Sequence, residues 1–123
     1  MTYVDGFVVP VPTANREVYR QFAERAAAVF KEHGALKVVE CWGDDVPEGK
    51  VTSFPMAIKR KDDETVVFSW VVWPSHQSRD EGMKAVMADP RSQPDTNPWS
   101  APLLARQMEP INRRLTPLPD SPA

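Results

Sequence analysis

The chain has 123 residues, of which 26% are charged and 41% hydrophobic, and a formal net charge of −2. This leaves room for one domain with a usable core but not for two, and so slight an acidic surplus gives no electrostatic footprint for a nucleic-acid partner. Cys41 is the single cysteine and has no internal disulfide partner, no signal-peptide pattern is visible, and the apolar runs fall well short of the roughly 18 residues of a membrane span, so a cytoplasmic protein with no membrane association is expected.

Tyr3 to Val11 alternates, with Tyr3, Phe7, Val9 and Val11 on one face and Val4, Gly6, Val8 and Pro10 on the other, and predicts a first strand. Pro10 and Pro12 are tolerated there only if their missing donors face away from a neighbour. From Asn15 to His33, Val18, Tyr19, Phe22, Ala26, Val29 and Phe30 recur at three and four residues, the spacing of one helical stripe. Thr13 or Asn15 is expected to cap that helix and Gly34 to close it.

Leu36 to Trp42 reads as a second strand, broken by the turn-forming run from Gly43 to Gly49. Thr52 to Lys59 and Thr65 to Trp73 read as two further extended runs joined by the polar spacer Arg60 to Glu64, an expected antiparallel pair. Ser75 can cap a second helix reaching about Ala88, with Met83, Val86 and Met87 as its buried stripe. Eight of the 13 prolines lie from Pro90 onward, and proline at that density resists a continuous helix or central strand. The expected organisation is an α+β domain over residues 1–92 and an atypical Pro-rich C-terminal tail over 93–123, in which residues 101–109 could form a short helix.

Three long blocks, Tyr3-Val4-Asp5-Gly6-Phe7-Val8-Val9-Pro10-Val11-Pro12, Phe30-Lys31-Glu32-His33-Gly34-Ala35-Leu36 and Glu40-Cys41-Trp42-Gly43-Asp44-Asp45-Val46-Pro47, closely resemble the YbaA-like family, domain of unknown function 1428. The segments Gly49 to Pro55, Asp63 to Trp70 and Val86 to Arg91 resemble it too, so the likeness covers about residues 2–91. It implies a ferredoxin-like βαββαβ fold of the dimeric α/β barrel group, in which the sheets of two copies close around a shared interior. The sequence agrees with that implication, because Val66, Phe68, Trp70 and Val72 alternate with Val67, Val71 and Trp73, leaving the strand apolar on both faces. One face is expected to meet the helices and the other a second subunit, making a homodimer.

The tail departs from the family. Members usually finish on a strand built around Lys-Arg-Met and a Tyr-Gly-Gly-Phe-like string, where this chain has Arg106-Gln107-Met108-Glu109-Pro110-Ile111-Asn112-Arg113-Arg114-Leu115. Codons for Gly-Gly-Phe read one base out of frame can give Arg-Arg-Leu, so a shifted reading frame after about Met108 is the expectation for the tail. Loss of the closing strand would leave an unpaired sheet edge.

The fold relatives implied by the resemblance include cofactor-free monooxygenases, haem-degrading enzymes and small isomerases, so a small-molecule site inside the barrel is expected, with Asp5, Phe7, Cys41, Trp42, Asp44, Phe54 and Trp70 as candidate residues. Cys41, Trp42, Asp44 and Asp45 crowd the end of the second strand, but a lone strand cysteine more often fills a core, and paired aspartates before Pro47 more often shape a turn. Trp70 and Trp73 differ in parity, so at most one lines the interior. His33 and His76 lack partners at ligand spacing, and neither a metal nor a cofactor is expected. The competing reading is a non-catalytic dimeric binding or accessory protein whose aromatic residues hold two sheets together.

Overall fold

Alternation and helical periodicity come together in a computed structural model that describes residues 2–92 and, for the backbone, 111–115. Its elements are β1 (Tyr3–Pro12), α1 (Arg16–Glu32), β2 (Lys37–Trp42), the single helical turn α2 (Phe54–Ala57), β3 (Glu64–Trp73), α3 (His76–Ala88) and β4 (Ile111–Leu115). The sheet is antiparallel with strand order β2-β3-β1-β4. Its central pair runs from Tyr3 opposite Trp73 to Pro12 opposite Glu64. Thr13 N–H donates to the Asp63 carbonyl at 2.8 Å on the β3 side. By alternation, Pro10 and Pro12 turn their donorless nitrogens to the other side, where β4 already ends opposite Val8.

Both long helices cover one face of the sheet. Val11, Tyr19, Ala23 and Val67 form one buried cluster with Val9, Val18, Phe22 and Trp42 around it. Ala35, Val71 and Trp73 form a second with Tyr3, Phe7, Phe30, Val38 and Met83. α1 ends as its sequence predicts: Gly34 takes φ 107°, and the Phe30 carbonyl accepts the Ala35 N–H at 3.0 Å. Its start differs, because Asn15 occupies the N-cap position without a side-chain cap. Thr13, the other expected cap, instead shares a 2.6 Å hydroxyl contact with Thr65.

The expected strand over Thr52 to Lys59 is not formed. Ser53 accepts the Met56 N–H at 3.2 Å and Pro55 lies in the first turn, so Ser-Phe-Pro starts the helical turn α2. The antiparallel partner of β3 on that side is instead β2, with Cys41 opposite Phe68 and Val39 opposite Trp70. The closing strand, left open by the sequence, is present: Ile111–Leu115 pairs with β1, Leu115 opposite Val4 and Ile111 opposite Val8. The short helix expected over 101–109 lies outside the described residues.

α3 is capped by Ser75, which accepts the Ser78 N–H at 3.0 Å, but its inward stripe is Arg79, Gly82 and Val86, and Met87 is 66% exposed. Gly82 sets how closely this helix approaches. A Cβ there would overlap the Trp73 ring and lie 2.6 Å from the His33 carbonyl oxygen. At their C-terminal ends α1 and α3 are tied together, His33 Nε2 lying 3.0 Å from Asp89 Oδ2 while Arg91 bridges Asp89 and Glu32. The hydrogen bonds from Arg91, and then from His33, hold the Asp89 carboxyl well below the usual carboxylate range.

Two outcomes are expected. Gly82→Ala lowers stability in a denaturant titration by about 1–3 kcal/mol despite alanine's better helix propensity, because the added methyl overpacks the helix–sheet contact; a raised midpoint would contradict this contact. Since the native Asp89 carboxyl is depressed, its contribution is complete above the unfolded-state value near 3.9 and is lost as pH falls through the native value. Asp89→Asn therefore flattens the acid limb of the stability–pH curve, measured by urea midpoints from pH 6 downward.

Candidate functional site

The face of the sheet opposite the helices carries Val4, Gly6 and Val8 from β1, Phe68, Trp70 and Val72 from β3, and Val39 and Cys41 from β2, in register with one another. α2 lies beside it. The Phe54 ring stacks on Phe68 with centroids 5.5 Å apart and planes at 14°, and Phe68 meets Trp70 at 5.6 Å. Phe54 is 48% exposed, Met56 42% and Phe68 36%, and Cys41 is exposed as well. Gly6 stands opposite Trp70, so no β1 side chain lies directly across from that indole. This is a flat aromatic floor whose reactive groups, among the described residues, are the Cys41 thiol and, at the far end of β2, the exposed amine of Lys37 opposite Val72. It suits the burial of a planar apolar surface better than proton transfer.

The helix-covered face holds the charged chemistry. Asp5 is fully buried; its Oδ2 accepts the Trp73 Nε1–H at 3.2 Å and the Arg79 Nε–H at 2.8 Å, while Oδ1 has no partner among the described residues. The hydrogen bond to Asp5 raises the Arg79 pKa above its ordinary value. A buried carboxylate is stable only with such a partner, so Asp5 and Arg79 dock α3 on β1. Phe7 belongs to the same side, packed in the Trp73 cluster.

A third feature follows the outer edge of β2. Tyr19 O–H donates to Glu40 Oε2 at 2.9 Å. Burial of the ring raises the Tyr19 phenol, with Glu40's charge adding to it, and the crowding of Glu40 against the sheet pushes its carboxyl up although one side meets solvent. Trp42 lies beside Tyr19 at 6.4 Å, and the Arg16 guanidinium stands over the indole, 5.6 Å from its centroid.

The seven candidate residues are therefore not brought to one place. Cys41, Phe54 and Trp70 share the open face, Asp5, Phe7 and Trp42 lie under the helices, and Asp44 is exposed in the turn beyond β2. Phe68, Arg79 and the Tyr19–Glu40 pair are absent from that set. Phe68 was marked by its parity with Trp70, whereas nothing local to Arg79 announces an acid 74 residues away. Arg79→Met is expected to cost about 3–5 kcal/mol by stranding the Asp5 carboxylate, and Asp5→Leu combined with Arg79→Met to cost less than the sum of the two single changes in a double-mutant cycle by chemical denaturation. Strict additivity would mean the two groups do not interact.

Compared with known proteins, residues 2–103 match the model of the family "Protein of unknown function (DUF1428)". The uncharacterized protein YbaA of Escherichia coli strain K12 is 55% identical over 91 residues, 74% of this chain and 78% of that protein, and YbaA of Shigella flexneri matches equally. Among solved structures, SnoaB, a cofactor-independent oxygenase from Streptomyces nogalater, is similar with TM-score 0.49 and 21% identity, covering 99% of this chain and 96% of that one.

Proposed function

The chain belongs to the family of proteins of unknown function DUF1428, and we propose that it acts as a cytoplasmic homodimer whose two sheets meet at their open faces around a site for a flat, largely apolar small molecule. The observation that carries this reading is the aromatic floor on the side away from the helices, where Phe54 and Phe68 are exposed and Trp70 is half-buried beside them. Contiguous apolar surface of that kind on a soluble chain marks an interface or a binding groove. The order β2-β3-β1-β4, with α1 and α3 on one face, supports the ferredoxin-like βαββαβ description, and the bare face supports its closure into a dimeric α/β barrel.

Within this reading, Trp70 provides a stacking platform and the gap at Gly6 the room beside it, while Phe54 on α2 forms one wall. Cys41 lies at the rim, opposite Phe68. The absence of an acid–base pair on this face, among the described residues, favours binding over turnover, so a non-catalytic binding protein is preferred to an oxygenase-like or isomerase-like enzyme. Asp5 and Phe7 serve the fold in this assignment.

A thermal-shift titration with 2-naphthol tests it. Saturating ligand binds only the folded state and so raises the midpoint, by several degrees for wild type and by little for Trp70→Ala. An equal rise in both, or none in wild type while other planar aromatics also fail, would overturn the site.

A further inference from the structure

The cleft along the outer edge of β2 shares only Cys41 with the open face and has the makings of a site of its own. It encloses about 140 Å³ between Arg16, Tyr19, Arg20, Glu40, Cys41, Trp42 and Val67, space for about five water molecules or a compact organic molecule of one ring. Its two cations differ. Arg20 is neutralised on its own helix by Glu17 at 2.7 Å and Glu24 at 3.2 Å. Arg16 has no carboxylate within ion-pairing distance among the described residues, and its guanidinium is held over Trp42. A guanidinium attracted to an indole and paired with no carboxylate keeps N–H groups for a ligand, and its fork matches the two oxygens of a carboxylate.

We infer that this cleft binds a small organic carboxylate, with Arg16 gripping the carboxylate and Trp42, Tyr19 and Val67 lodging an apolar body. Arg16 supplies the anion contact and the aromatic walls supply the selectivity for an organic acid over an inorganic ion. Glu40 lies on the inner wall, where the Tyr19 hydroxyl occupies one of its oxygens. Its negative charge opposes an anionic ligand, so it limits affinity rather than creating it.

Isothermal titration of the full chain with benzoate, and in parallel with its neutral isostere benzamide, is the direct test. Benzoate is expected to bind at least tenfold more tightly than benzamide. Arg16→Gln, an exposed substitution that leaves the core untouched, abolishes that preference, and Arg20→Gln leaves it within about twofold, because Arg20 is already paired. Glu40→Gln, which keeps an acceptor for Tyr19, strengthens benzoate binding severalfold. Equal binding of benzoate and benzamide, unchanged binding in Arg16→Gln, sulfate competing as well as benzoate, or weaker binding in Glu40→Gln would each overturn the proposal; the last would mean that the carboxylate of Glu40 holds a cationic ligand. Because neither Phe68 nor Trp70 takes part, failure here leaves the open-face reading standing.

Discussion

Along β3, successive side chains point to opposite sides: Val67, Val71 and Trp73 go into the helices, and Phe68, Trp70 and Val72 go out of the other face. A strand with neighbours on both edges and apolar residues on both faces cannot be satisfied by one layer of helices. The proposed homodimer and its aromatic site follow from that surplus. The helices take one face, and a hydrophobic surface with Phe68 at its centre remains to be covered.

The helix side is closed by shape and by charge together. Gly82 lets α3 come down on Trp73 and on the end of α1, and the same helix carries Arg79 to Asp5 beneath β1. That ion pair is weak evidence for added stability, since two charges lose their hydration to form it. Geometrically it ties α3 to β1, while the Trp73 N–H on β3 donates to the same carboxylate. The buried polar groups most suggestive of chemistry in isolation, Asp5 and Arg79, thus join helix to sheet, and the apolar groups remain on the open face.

Much of this was legible in the sequence. Strict alternation located β1 and β3, the three-and-four spacing located α1, and the parity of Trp70 and Trp73 assigned them to opposite faces. What was not legible depended on residues far apart in the chain or on competing local chemistry. Phe54, Met56 and Ile58 alternate as a strand would, but Ser53 and Pro55 start a helical turn, and β2 takes the place beside β3. In α3 a glycine and an arginine form the inward stripe where Met87 was expected, because a wide indole leaves no room for a larger residue at position 82. Ile111–Leu115 carries two arginines and follows a proline-rich stretch, so its composition hid a strand whose pairing with β1 is set by the sheet edge it completes.

The candidate residues mix the two faces because parity was applied to Trp70 and Trp73 but not to Asp5, Phe7 and Trp42. Asp5 and Phe7 have the chemistry of site residues and the facing of core residues. Phe68 has the chemistry of a core residue and the facing of a site residue.

Sedimentation velocity across a wide concentration range tests the uncovered-face account most directly. It predicts a species of twice the 13.9 kDa chain mass at micromolar concentrations, dissociating to single chains when Phe68 is replaced by lysine. A well-folded wild-type monomer persisting at hundreds of micromolar would contradict it.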